Sequence, residues 1–240
     1  MLSIETKNLT KKFKEKTVVN GIELRINEGE LFALLGTNGA GKTTNINMIS
    51  TLILPTDGEN KINGLDIIKD RQKIKEIINV APQETAIAPN LSVKENLEFM
   101  AGVYQIPNKE EKINELVKMF KLEEVLNQKA KTLSGGWQRK VSIAIALINE
   151  PKILFLDEPT LGLDVIARKE LWNVIKKLKG KITIILTTHY MEEAESLSDI
   201  IGIMAKGNLV DVGTAKELIK RAGTKNFEDA FVKIATGGEL

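Results

Sequence analysis

Glu30-Leu-Phe-Ala-Leu-Leu35-Gly36-Thr37-Asn38-Gly39-Ala40-Gly41-Lys42-Thr43-Thr44 decides how this chain is read. A short apolar run enters a glycine-rich loop. A helix-compatible segment, TTNINMISTLIL, leaves it, and Pro55-Thr-Asp-Gly58 stops the pattern. Residues Gly36 to Thr43 fit G-x-x-x-x-G-K-[ST] in the strand-to-helix setting that gives this pattern its mechanism. Backbone N–H groups from Gly36 to Thr44, with the positive end of the helix, would cradle phosphates. Lys42 would reach the β- and γ-phosphates and the Thr43 hydroxyl would ligate Mg2+. A glycine-rich turn without a ligand is the alternative, opposed by the lysine and the flanking strand and helix. The loop implies nucleoside triphosphate binding and leaves the machine open.

Downstream, Ile153-Leu-Phe-Leu-Asp157-Glu158 is an apolar run ending in two carboxylates. Burial on both faces of a strand explains the unbroken run, and carboxylates at its C-terminal end face the ligand crevice of an open α/β sheet. Asp157 is placed to hold Mg2+, leaving Glu158 to polarise the attacking water. Pro159 disfavours helical geometry before it, so Glu158 is expected to be extended. A third segment, Leu133-Ser134-Gly135-Gly136-Trp137-Gln138-Arg139, opens a helix running to Asn149. Paired glycines allow close backbone approach, and free N–H groups at a helix start suit an anion. On its own this segment reads equally as an ordinary helix start capped by Ser134.

Outward from these motifs the chain divides. Ile4–Asn8 and Val18–Ile26 read as a β-hairpin broken at Lys-Glu-Lys, and strands are expected near Lys61–Ile67 and Ile77–Pro82. Ser92-Val-Lys-Glu95 is a capping box. It starts a helical block, with periodicity over Glu98–Tyr104, Lys112–Phe120, Glu124–Gln128 and Trp137–Asn149. Strand runs return at Ile153–Leu156, Ile182–Thr187 and Ile200–Met204, the last turning through Lys-Gly-Asn into Leu209–Val212. The expected fold is α/β, a parallel sheet with crossover helices. An N-terminal antiparallel β subdomain precedes it, and a helical subdomain is inserted over about 91–148. The main domain is expected over 1–215 and a short helical tail over 216–240.

Composition narrows the function. The 240 residues are 42% hydrophobic and 28% charged, with 34 basic and 32 acidic residues giving a net charge of +2. That balance provides no whole-chain attraction to nucleic acid or anionic lipid, so no nucleic-acid partner is expected. Cysteine is absent and His189 is the only histidine, which removes thiolate chemistry and disfavours a histidine-rich metal site. The longest apolar-rich run, around Val141–Ile148, is far shorter than the roughly 20 residues of a membrane span. With no signal-like N-terminus, a cytoplasmic chain is expected, serving any membrane through another polypeptide.

The order of motifs resembles the ATP-binding cassette (ABC) family throughout, over residues from about 4 to 215. The likeness rests on Phe13, GTNGAGKT, Gln83 in Ala-Pro-Gln, LSGGWQRK, ILFLDE, Leu161-Gly-Leu-Asp164 and His189 in Thr-Thr-His. It implies a P-loop core with a RecA-like parallel sheet. It further implies that Phe13 stacks on adenine and that Gln83 contacts Mg2+ in a loop sensing a transmembrane partner. His189 would bind the γ-phosphate. Ser134, Gly135 and Gly136 would close over ATP held by an opposing subunit, and Asp164 would organise that interface. Core placement of Phe13 and a structural role for His189 remain the plain alternatives. Thr37, Trp137 and Ile145 depart from the family's usual residues without removing a ligating group. The stretch His189-Tyr-Met-Glu-Glu-Ala-Glu195 and the short tail resemble prokaryotic exporter ATPases, with peptide importers and lipoprotein releasers as further alternatives. That likeness implies ATP and Mg2+ as cofactors, a homodimer or heterodimer of ATP-binding subunits, and a separate transmembrane permease, with this chain peripheral on the inner face of the cell membrane. The partner is expected to dock over Gln83–Val93 through Ile87 and Leu91. A non-transport ABC ATPase of repair or ribosome type and a P-loop kinase are the alternatives. One compact cassette and LSGGWQRK argue against them.

Overall fold

The computed structural model describes residues 1–238; Glu239 and Leu240 of the expected tail lie outside the described residues. Leu2–Phe13 (β1) and Lys16–Asn27 (β2) form the expected hairpin through Lys14-Glu15. Leu31–Leu35 (β3) enters the phosphate loop and Lys42–Ile49 (α1) leaves it. That helix is shorter than the apolar pattern suggests, because Thr51 takes a left-handed φ of 64°. Asp57–Ile62 (β4) and Leu65–Asp66 (β5) replace the single strand expected over Lys61–Ile67. Asn63 and Gly64 both have positive φ there and close a two-residue hairpin.

Arg71–Ile77 (α2) leads into Ile78–Ala81 (β6). A helical block follows: Val93–Val103 (α3), Lys109–Phe120 (α4) and Gly135–Ala146 (α5). Both halves of the Ser92/Glu95 capping box form at the start of α3. The helix expected over Glu124–Gln128 is only one 3-10 turn, Glu123–Val125. Then come Ile153–Asp157 (β7), Val165–Leu178 (α6), Thr183–Thr188 (β8) and Met191–Leu197 (α7). Ile200–Ala205 (β9), Asn208–Gly213 (β10), Ala215–Ala222 (α8) and Phe227–Thr236 (α9) complete the described chain.

Two sheets result. One is antiparallel, in the order β2-β1-β4-β5; the other runs β10-β9-β3-β8-β7-β6, parallel except for β10. Every residue of β3, β7 and β8 is buried, because both faces of the large sheet are covered. Strand alternation divides these side chains between two cores. Phe32, Leu34, Ile153, Phe155 and Ile185 pack with Ile46 and Ile49 of α1 and with the antiparallel sheet. Leu31, Ala33, Leu35, Leu154, Leu156, Ile184 and Leu186 pack with the helical block, α6, α7 and α9. Each such burial is worth roughly 1.5–3 kcal/mol, so the strands that carry the site are anchored in both cores.

Candidate active site

Strand order builds the site. In β3-β8-β7-β6, neighbouring parallel strands end together: Leu35 pairs with Thr188, Asp157 with Thr187, and Ala81 with Leu156. The next residues out are Gly36, His189, Glu158 and Pro82-Gln83. Four segments far apart in sequence therefore leave the same edge of one sheet, where ligands of open α/β sheets bind.

Close approach accounts for two of the loop glycines. A Cβ on Gly36 would lie 2.3 Å from the Met204 carbonyl oxygen. At Gly41, φ is 100° and a Cβ would lie 2.7 Å from the Val18 carbonyl oxygen. Only glycine fits either place. Lys42 is 5% exposed and donates to the carbonyls of Gly36 (2.8 Å) and Thr37 (3.2 Å). Its Nζ also lies 3.3 Å from Glu158 Oε1. His189 Nδ1 lies at hydrogen-bond distance from Glu158 Oε2. Thr43 donates to Asp157 Oδ1 at 3.2 Å, and Thr187 donates to the same oxygen. A cavity of about 430 Å3 is lined by Asn38, Gly39, Gly41, Lys42, Thr43, Thr44, Gln83, Glu158 and His189, with Val18 and Leu161. Ala40 lies buried behind it.

Glu158 corrects one expectation. Its φ is 48°, left-handed rather than extended. Its N–H donates to Thr187 Oγ1 at 3.0 Å and to the Thr187 carbonyl at 3.2 Å, so tertiary bonds override the local preference set by Pro159.

Other expected residues lie apart from this cavity. Phe13 is 49% exposed at the end of β1, which rules out the core alternative; Lys11 Nζ sits 5.1 Å from its ring centroid. Ser134 is the N-cap of α5 yet makes no side-chain cap bond. Gly136 approaches Ala167 of α6, where an added Cβ would come within 3.3 Å. Asp164 caps α6, accepting from Ile166 N (2.8 Å) and Ala167 N (2.9 Å). The Ala167 N–H bond is the main reason its carboxyl lies below the usual range. Ser134, Gly135, Gly136 and Asp164 thus share one neighbourhood around the start of α6, and none of them lines the phosphate cavity.

Two residues close to the site lie inside quoted motifs, yet nothing in the sequence assigned either of them a role. Arg139 of α5 is buried and hydrogen-bonds to backbone carbonyls beside Glu158. Glu193 of α7 is fully buried, and its Oε1 accepts from Thr160 Oγ1 (2.8 Å) and Trp172 Nε1 (2.9 Å). Burial pushes its carboxyl above the usual range. The segment expected to dock a partner is less open than its sequence suggests. Ile87 and Leu91 are half-buried, Ile87 against the core, whereas Phe99, Val103 and Tyr104 of the α3 end are exposed. Ala88 and Leu91 carbonyls accept from buried Asn96, which folds that loop inward.

Fold and cavity together define a P-loop nucleoside triphosphatase. The sequence family described as ABC transporter matches residues 19–161. The chain is 37% identical to the linearmycin resistance ATP-binding protein LnrL of Bacillus subtilis (strain 168), over 98% of this chain and 75% of that one. It is 39% identical to the phospholipid-transporting ATPase ABCA3 of Homo sapiens, over 92% of this chain but only 13% of that protein's length. The solved ATP-binding subunit of an ABC transporter superposes with a TM-score of 0.87 at 28% identity, covering 98% of this chain and 99% of its own. A dimeric ATP-binding cassette in a post-hydrolysis state with ADP and Pi gives 0.79 at 30% identity, over 88% and 98%. The chain belongs to the ABC transporter family, as its ATP-binding and ATP-hydrolysing domain.

Proposed function

We propose that this chain is the nucleotide-binding subunit of an exporter, working as a pair beneath a transmembrane permease on the inner face of the cell membrane. The observation that carries the reading is a divided site. The phosphate cavity is complete on one side, while the uncapped Ser134 hydroxyl and the N–H groups at the start of α5 open elsewhere. Two copies bring the signature of one against the γ-phosphate held by the other, with Asp164 ordering the turn between them. The pair is a homodimer or a heterodimer, and the dimeric solved relative supports this arrangement.

Lys42 and His189 both contact the Glu158 carboxylate. The γ-phosphate competes for both side chains, and their transfer to phosphate leaves the Glu158 carboxylate free to polarise water. Thr43 and Asp157 present hard oxygen donors 3.2 Å apart, with Gln83 alongside in the cavity lining. Among the described residues no cluster of three or more acidic or histidine side chains could hold a metal. That set fits Mg2+, which keeps waters and phosphate oxygens and needs only one or two protein groups. When bound, Mg2+ neutralises charge developing on the phosphates. Phe13 stacks on the adenine.

No helix among the described residues is long and apolar enough to cross a membrane, and in this reading a permease carries the cargo across. The exposed Phe99-Val103-Tyr104 face is its docking surface. Domain limits follow the motifs: ATP-binding domain 1–215, helical insertion about 91–148, tail 216–240. The relative named for linearmycin resistance supports the outward direction. Phosphate release by the purified chain under Mg-ATP tests the reading. Lys42→Ala is expected to abolish both turnover and ATP affinity. A variant with near-wild-type turnover would remove Lys42 from the phosphates and the reading with it.

A further inference from the structure

All five N–H donors of the Arg139 guanidinium meet backbone carbonyls. Nε donates to Pro159 O (2.8 Å), and Nη2 donates to Asp157 O (2.6 Å) and Glu158 O (2.7 Å). Nη1 donates to Pro82 O and to Gln83 O (3.2 Å). An arginine has five such donors in a fixed planar fork, so none remains for a carboxylate. Asp157, Glu193 and Glu158 lend it a favourable field without an ion pair. The side chain is 4% exposed.

The five carbonyls come from two segments that leave adjacent parallel strands, β6 and β7, and diverge at the edge of the sheet. Divergence ends the ladder and leaves buried carbonyls in need of donors. Three of them flank or belong to Glu158, the non-glycine residue held at a φ of 48°. The other two flank the peptide that carries Gln83. The guanidinium itself projects from α5, within about a turn and a half of both Ser134 and Gly136.

We propose that Arg139 is a positioning residue: it fixes the backbone angle at which Glu158 presents its carboxylate and ties that angle to the Gln83 segment and the signature helix. The inference deepens the proposed function and rests on it. A rigid planar fork suits this task, because its donors cannot rotate independently. Any shift of the Gln83 segment then reaches Glu158 through a single side chain.

Arg139→Lys keeps the charge but replaces the fork with one ammonium that cannot span both segments. The expected result is a fall in kcat of about 100-fold, the cost of a slightly misplaced catalytic group. ATP affinity and the thermal stabilisation by ATP should stay within about threefold of wild type, since the phosphate loop is untouched. In a Glu158→Gln background the same change should lower residual turnover less than about twofold, because its effect passes through the missing carboxylate. Arg139→Gln, neutral and with two donors, is the second variant and should show the same split. Wild-type kcat in Arg139→Lys overturns the proposal. Equal losses with and without Glu158, or loss of ATP binding together with turnover, do so as well. If neither variant folds, Arg139 is a structural residue and the proposal fails. A wild-type chain without ATP turnover is a different failure, that of the proposed function itself.

Discussion

Replacing Glu193 with glutamine isolates one proton in the core beside the site. Glu193 is fully buried; its Oε1 takes hydrogen bonds from Thr160 and Trp172, while Oε2 is buried without a partner. An ionised carboxylate with one unpaired oxygen is costly away from water. Burial, helped by the nearby Glu158 charge, raises the carboxyl above its ordinary value of 4.5. The folded chain therefore holds this proton to higher pH than the unfolded chain does. Stability from this group is complete below the unfolded value and is lost as pH rises through the raised folded one. The slope across that window approaches about 1.4 kcal/mol per pH unit. Glu193→Gln keeps the acceptor and the shape and cannot ionise, so its stability relative to wild type should grow by that slope above about pH 4.5. Urea unfolding midpoints at pH 5, 6, 7 and 8, with unchanged m-values, measure the gap. A gap that stays constant with pH would show that Glu193 ionises normally and refute the reasoning. Glu193→Ala, which strands both buried donors and opens a cavity, should cost about 3–5 kcal/mol at any of these pH values.

Phe13→Ala should weaken ATP about tenfold, within the range of base–aromatic stacking, and wild type should accept GTP within about an order of magnitude. Titration with a fluorescent nucleotide reads both, and an unchanged affinity would place the base elsewhere. Val103→Asp changes an exposed position, so folding and the isolated chain's turnover should hold, with stability within about 0.5 kcal/mol. Recovery with membranes from cells that make the permease should drop, and undiminished recovery would move the docking surface away from α3.

The parts of the site legible in sequence are those whose side chains are consecutive. The loop from Gly36 to Thr44 and the pair Asp157-Glu158 declare themselves because strand, loop and helix follow directly in the chain. The large sheet was legible for the same reason: β3, β7 and β8 are buried on both faces and read as apolar runs. Where tertiary contacts decide, the sequence misleads. The Leu52-Ile-Leu54 segment continues the helical pattern, yet α1 stops at Ile49 and leaves Leu52 and Leu54 exposed. Helix α2 buries only Ile74, so no period announces it. The Asn63-Gly64 turn had a signal, two hairpin residues within an apolar run, that the strand pattern masked. Glu158 follows a fold-wide set of bonds rather than the proline beside it. Arg139 and Glu193 act on groups 18 to 57 residues away, partly on backbone carbonyls that have no residue signature.

The divided site is tested most directly by the size of the chain under Mg-ATP. Glu158→Gln cannot accept a proton, so hydrolysis should fall roughly 10²–10⁴-fold while Lys42, Thr43 and Asp157 still bind nucleotide. Size-exclusion chromatography should then show an ATP-dependent dimer of Glu158→Gln that reverts to monomer without nucleotide. Adding Ser134→Arg puts bulk and charge where the opposing γ-phosphate lies, and that double variant should bind ATP and remain monomeric. A monomeric Glu158→Gln under saturating Mg-ATP, or a double variant that still dimerises, would contradict the account.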